Sequence, residues 1–389
     1  MNRRTKVLLL QSDFKVRAHL FSDLNEQIVR GLPRERYEVY SAFLFGKPNA
    51  GDPISQAEHS IYLNCESDRL GGLRVGAISK LFSLCRAIGF DAVICHRFKA
   101  ANTMLIVSRL LQRPPFCVGI SHGQREYDQV FRRIRARLLV GPNWCFVGVS
   151  QAVKDYLVRF KSAFHERNTV VIDNGIDVAE ATGFLHSRED ARRELGLASD
   201  RFVIGTVGRL VPVKAHKVLI EAFARLAVEM PNVDLVIIGG GREELALRIQ
   251  VEEAKLGQRV HLLGKRDLAL QYLRAFDIFA LPSLSEGLPL ALLEAMAAAL
   301  PIVGSDIDAM RDLVLKAGGT VVQPGNEKHL ARALGSLCRL PLNEREKLGT
   351  RARDYLLKHH DIHAYQDAYR DLIDQGVRRC LPDVNIDGT

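Results

Sequence analysis

The sequence predicts an α/β chain of two doubly wound lobes, each a parallel sheet covered by helices. Short apolar runs alternate with amphipathic segments throughout the 389 residues, which is how strands buried on both faces of a sheet read. The alternation restarts after a stretch near 176–200 that has no period. The length also exceeds what one hydrophobic core usually sustains, so two domains are expected.

The apolar runs place strands at 6–10, 37–44, 92–95, 116–120, 145–149 and 170–172 in the first half. The second half repeats them at 202–207, 234–238, 260–263, 278–281, 302–304 and 319–322. Asn174-Gly175 is a turn signal, so the first lobe is read as 1–175, a linker as 176–200 and the second lobe as 201–360. Tyr365, Tyr369, Leu372 and Ile373 recur at helical spacing, giving a last helix within 361–389 before Pro382 ends it.

Composition excludes several classes. With 47% hydrophobic and 25% charged residues, the chain is not disordered or fibrous. No apolar run reaches about 18 residues, and the stretch at 7–10 is too short for a signal-peptide core, so a cytoplasmic, non-spanning protein is expected. The seven cysteines form no Cys-x-x-Cys pair and sit mostly in apolar segments, which reads as buried inert thiols. Charge is uneven: residues 1–200 hold 29 basic and 21 acidic side chains, the remainder 25 and 24. The basic first half suits something anionic. A single tryptophan, Trp144, and no recognised nucleic-acid motif argue against nucleic acid.

In open α/β sheets ligands bind beyond the carboxyl ends of the strands, so the residues after each strand matter most. Pro282 ends one strand, a polar loop with Glu286 follows, and a helix of strong formers opens near Leu288 with Pro289 in its first turn. The amides of Gly287, Leu288 and Leu290 there can meet a phosphate where the helix dipole is positive. Glu286 and Glu294 lie eight apart, about 80° from eclipsed on a helix, so Glu286 reads as a loop residue and Glu294 as a carboxylate inside the helix. Sugar hydroxyls would suit Glu294, and a solvated polar stripe is the other reading. After the strand 202–207 come Gly208, Arg209 and Lys214: a glycine for close approach, a guanidinium fork and a point charge able to hold a diphosphate. Gly239-Gly240-Gly241 is no dinucleotide fingerprint, because Glu244 stands at its third glycine; it is read as letting backbone approach a donor.

These residues carry a resemblance. The stretches PSLSEGLPLALLEAMAAALPIVGSD, GRLVPVK, VIIGGG, HLLGKRDLALQYLRAFDIFALPS, VGVSQAVKDYL and VVIDNGID occur in the order found in the retaining glycosyltransferases of family 4. The resemblance implies a GT-B fold: two Rossmann-like lobes facing across a cleft, with the C-terminal helix packing back on the first. It implies a hexosyltransferase using a nucleotide-diphosphate sugar, with no metal or other cofactor. Arg209 and Lys214 would bind the diphosphate, Glu294 the ribose and Glu286 the sugar. Gly208, Gly239, Arg266, Gly287, Leu288, Pro289 and Leu290 would complete the donor site. His122 would face the sugar near the reacting carbon; without the resemblance, a satisfied structural histidine is the default. Two features depart from the pattern: 11–17 has no glycine, and the loop 264–267 is one residue short.

The acceptor side is read from charge. Lys15, Arg17, Arg97 and Arg125 lie beyond strands of the basic lobe and suit a lipid-linked or phosphorylated glycan. Residues 124–139 read as a basic amphipathic helix with Tyr127, Val130, Phe131, Ile134 and Leu138 in one stripe. That stripe either meets a membrane surface or packs on the lobe's own sheet. The family's habits point to a bacterial cell-surface polysaccharide or lipopolysaccharide core, with transient contact at the inner face of the cytoplasmic membrane. An epimerase, a sugar-phosphate synthase and a non-catalytic nucleotide-sugar-binding scaffold are the rival readings.

Overall fold

The computed structural model describes residues 3–14, 16, 23–65, 75–161 and 163–381. They form two units, one of residues 1–175 with 362–389 and the other of 176–361.

The first unit is a seven-stranded sheet of β1 (Thr5–Asp13), β2 (Tyr37–Phe45), β3 (His59–Tyr62), β4 (Ala92–His96), β5 (Phe116–Ser121), β6 (Trp144–Gly148) and β7 (Thr169–Val171). Every pairing is parallel and the spatial order is β3-β2-β1-β4-β5-β6-β7. Val7 to Leu10 and Ala92 to Cys95 are fully buried, as central strands require. The edge strand β3 escapes the sequence reading because its residues are half-buried but for an exposed Ser60, which breaks the apolar pattern.

The last helix, Ile362–Cys380, belongs to this unit. Gly376 lies so close to β5 that a Cβ there would stand 2.2 Å from the Phe116 ring, and Asp374 takes hydrogen bonds from Arg36 (2.7 Å) and Tyr37 (2.5 Å). The basic helix is shorter than its sequence pattern: it runs Val130–Leu139, and 124–127 are turn. Tyr127 leaves the stripe for the core, against Phe98 and Phe164.

The second unit is a six-stranded parallel sheet of β8 (Phe202–Val207), β9 (Val233–Ile238), β10 (Val260–Leu262), β11 (Ile278–Leu281), β12 (Ile302–Ser305) and β13 (Thr320–Val322), ordered β10-β9-β8-β11-β12-β13. The stretch 176–200 corrects the linker reading. It folds as two helices, Val178–Gly183 and Arg188–Leu195, within this unit. The second starts on Ser187, whose hydroxyl accepts from the Asp190 amide, and stops at Gly196 in the left-handed region (φ 68°). Its Arg192 is 2% exposed and donates to Asp277 (2.9 Å) and to the carbonyls of Ala275, Ser199 and Arg201. A buried guanidinium with this many acceptors is a structural knot, not a tether.

Candidate functional site

Strand order reverses direction between β8 and β11 in the second unit, and in open α/β sheets ligands bind beyond the carboxyl ends of the strands at such a switch point. Beyond β8 run Gly208, Arg209 and Leu210, then a 3₁₀ turn Pro212–Lys214. Beyond β11 runs the loop to Glu286. The Leu284 amide donates to the Val213 carbonyl (2.8 Å), stitching the two loops together. The result is a contact that spacing alone did not reveal: Lys214 Nζ donates to Glu286 Oε1 at 2.5 Å, with side chains only 15% and 10% exposed. Both charges are largely out of water, where ion pairing is strong. Arg209 lies on the same β8 loop, exposed, and makes no ion pair among the described residues.

Two supports hold the β8 loop. Ala215 takes up a left-handed conformation (φ 52°) to turn the chain from Lys214 into the helix His216–Glu229. His216, fully buried, brings Nε2 to 3.3 Å from the Arg209 carbonyl oxygen. Burial depresses its pKa to about 4, so the ring is neutral, and facing a carbonyl its Nε2 carries the proton. The sequence reading did not single out His216; its position two residues after Lys214, opening a helix, was the available signal.

The glycine triplet has close neighbours in the chain itself. A Cβ on Gly239 would meet the Gly208 carbonyl at 1.8 Å, and one on Gly241 the Leu210 carbonyl at 2.3 Å. Gly239 and Gly241 are therefore required by the chain's own β8 loop, which they press into shape. The Gly239 amide also donates to Gly264 (2.9 Å), tying in the loop with exposed Arg266.

The helix beyond β11 runs Leu290–Ala297. Pro289 is not in its first turn but at its cap, with extended backbone (φ −74°, ψ 118°), and its carbonyl accepts from Leu292 and Leu293. Gly287, Leu288 and Pro289 are buried, and Leu290 and Glu294 half-buried. Pro289 ends the loop without an orphaned N–H, and the Leu290 and Ala291 amides, in the first turn, have no intrahelical acceptor. Among the described residues no three of His, Cys, Asp and Glu gather as a metal-binding group.

In the first unit the order reverses between β1 and β4. Lys15 and Arg17 lie outside the described residues. Arg97, exposed, follows β4 with φ 68°, and Arg125 is exposed. His96, the last residue of β4, is buried and stacked on His122, ring centroids 5.6 Å apart. Burial, reinforced by the neighbouring His122 and Arg97, holds His96 well below its ordinary pKa. His122 falls to about 4 by burial and by the charge of Arg97. Both imidazoles are neutral near pH 7 and suited to hydroxyls, not to anions.

Glu126 is the residue that sequence reading missed here. Its carboxylate accepts from the His122 amide (3.1 Å) and the Ser121 hydroxyl (3.1 Å), clamping the turn that carries His122. Burial raises its pKa from 4.5 to about 7. Between those values the folded unit keeps a proton that the unfolded chain has lost, so stability falls as pH rises through the window. The non-ionising Glu126→Gln variant should therefore lose less melting temperature between pH 5 and pH 8 than the wild type; equal losses would remove Glu126 as the cause.

Comparison with known proteins places this architecture. Residues 187–355 match the family model described as "Glycosyl transferases group 1", and residues 25–180 the one described as "Glycosyltransferase Family 4". The GDP-mannose-dependent monoacylated alpha-(1-6)-phosphatidylinositol monomannoside mannosyltransferase of Corynebacterium glutamicum is 31% identical over 51% of this chain and 55% of its own length. This chain thus spans about half the length of that curated relative or less of others. HepE of Anabaena, solved in complex with UDP-glucose, superposes with a TM-score of 0.79 at 21% identity, over 96% of this chain and all of that one. WaaG, a glycosyltransferase involved in lipopolysaccharide biosynthesis, superposes at 0.73 with 16% identity, over 95% and 99%. Both show the fold. The two family matches, covering most of the chain in the expected order, and the paired parallel sheets establish that the chain belongs to the group 1 glycosyltransferases of GT-B fold.

Proposed function

We propose that the protein is a retaining hexosyltransferase that moves a sugar from a nucleotide diphosphate to a hydroxyl of a lipid-linked or phosphorylated glycan, peripherally at the inner face of the cytoplasmic membrane. The observation that carries this reading is the largely buried Lys214–Glu286 pair at the switch point of the second sheet, with Arg209 on the loop that carries Lys214. A diphosphate entering there competes with Glu286 for the Lys214 ammonium. Glu286 is then released to accept from sugar hydroxyls, while Arg209 and the amides at the start of Leu290–Ala297 take phosphate oxygens.

In the transfer the bond from the anomeric carbon to the diphosphate oxygen breaks and a bond to the acceptor oxygen forms on the same face. The acceptor proton passes to the departing phosphate. Two cations and a helix start neutralise the developing charge, the task a metal performs elsewhere, so activity is expected to persist in a chelator. Glu294 is assigned to the ribose, and neutral His122 to a sugar hydroxyl. The exposed cations Arg97 and Arg125, with Lys15 and Arg17, suit the phosphate of the acceptor, and a cell-surface polysaccharide or lipopolysaccharide core is the pathway class we favour. Incubating the protein with labelled nucleotide sugars and either membranes or free sugars tests this. Label in the lipid extract is expected; label confined to soluble sugar phosphate or to an epimerised donor would favour the rival enzymes.

A further inference from the structure

The helix Val130–Leu139 is inside out. Val130, Ile134 and Leu138 recur four apart with Phe131 beside them, one stripe of a helix, and these four side chains are 58%, 54%, 70% and 59% exposed in that order. The face turned to the unit is cationic instead. The Arg132 guanidinium lies 4.3 Å from the centre of the Phe98 ring and donates to the Glu126 carbonyl (2.7 Å), and Arg133 lies 4.7 Å from the Phe160 ring. Only Ala136 is buried. Arg109 ties the far end down by donating to the Leu139 (2.9 Å) and Val140 (3.2 Å) carbonyls, and its neighbour Leu110 is 57% exposed. Cation–π contacts, together with Ala136 in the core and Leu139 packed against it, anchor this face and leave the apolar stripe outward.

Charge selects the occupant. Arg135 and Arg137 flank the stripe, and residues 101–150 contain seven arginines, no lysine and two acidic side chains. A two-fold contact between copies through this stripe would set those arginines against their own counterparts. An anionic bilayer meets both features at once, taking the apolar side chains below the headgroups and the guanidinium forks at the phosphates. We propose that Val130–Leu139 docks the protein on an anionic phospholipid surface. This names the surface for the membrane contact in the functional reading above, and it is tested without donor or turnover, so either can fail alone.

The full chain is sedimented with vesicles of phosphatidylcholine alone or mixed with phosphatidylglycerol. Wild type should bind the mixed vesicles about tenfold or more tightly than the neutral ones. Phe131→Ser with Leu138→Ser should lower that binding by about tenfold at unchanged Tm, since both positions are exposed. Arg135→Glu with Arg137→Glu should erase the preference for anionic vesicles. The proposal is overturned if wild type ignores mixed vesicles or if the Phe131/Leu138 variant binds as wild type does. It is equally overturned if that variant instead dissolves a dimer formed in vesicle-free solution, which would make the stripe a self-association surface.

Discussion

Replacing Lys214 with alanine is expected to lower transfer by about 10²- to 10³-fold, the usual consequence of removing one preorganised group that stabilises developing negative charge. The substitution also leaves Glu286 largely buried without its cation, and the cost in stability should be about 2–4 kcal/mol. These effects separate in the double variant Lys214→Met with Glu286→Gln, which removes both charges together. Its melting temperature should return toward wild type while transfer stays lost. Arg209→Ala should reduce transfer with little change in stability, because its guanidinium is exposed and makes no ion pair among the described residues. Near-normal turnover in either single variant would remove the assignment of the diphosphate to this site.

The largest structural effect is expected at Arg192. Truncation to alanine removes the partner of Asp277, which also holds the Val203 amide (2.7 Å) at the start of β8 and Arg188 (2.8 Å). Breaking one side of a buried, hydrogen-bonded pair costs about 3–5 kcal/mol, which for a unit of this size lowers Tm by about 10 °C. Arg192→Lys keeps the charge but not the fork that reaches three carbonyls, and should fall between. Calorimetry on the full chain reads this directly; a change within about 2 °C would mean that 176–200 is the loose connector its sequence suggests.

That stretch shows where sequence reading stops. Central strands such as Val7 to Leu10 and Leu235 to Ile238 are fully or almost fully buried, so each appears as an unbroken apolar run with no competing signal. Arg188–Leu195 is eight residues long with six charged ones, and its packing rests on a buried arginine that hydropathy scores as surface. Within the site, Arg209, Lys214 and Glu286 stood out because each follows a strand, and Glu294 because it is a carboxylate inside an otherwise apolar helix. The Lys214–Glu286 pair was not legible, since it spans 72 positions and depends on β8 and β11 being neighbours. The Gly208 carbonyl beside Gly239 was not legible either, because a glycine required by a carbonyl of its own chain looks the same in sequence as one required by a ligand. His122, read either as facing the sugar or as a structural histidine, is a neutral ring, held so by burial and by the charge of Arg97.

The most direct test of the central claim is calorimetric titration of UDP and GDP into the wild type and into Arg209→Ala and Lys214→Ala, with chelator present throughout. A site built from these two cations should bind a nucleoside diphosphate without metal, and each variant should weaken the preferred nucleotide by about tenfold or more, the worth of one charge-assisted contact. Equal affinity in all three proteins, or binding that appears only when a divalent cation is restored, would contradict it.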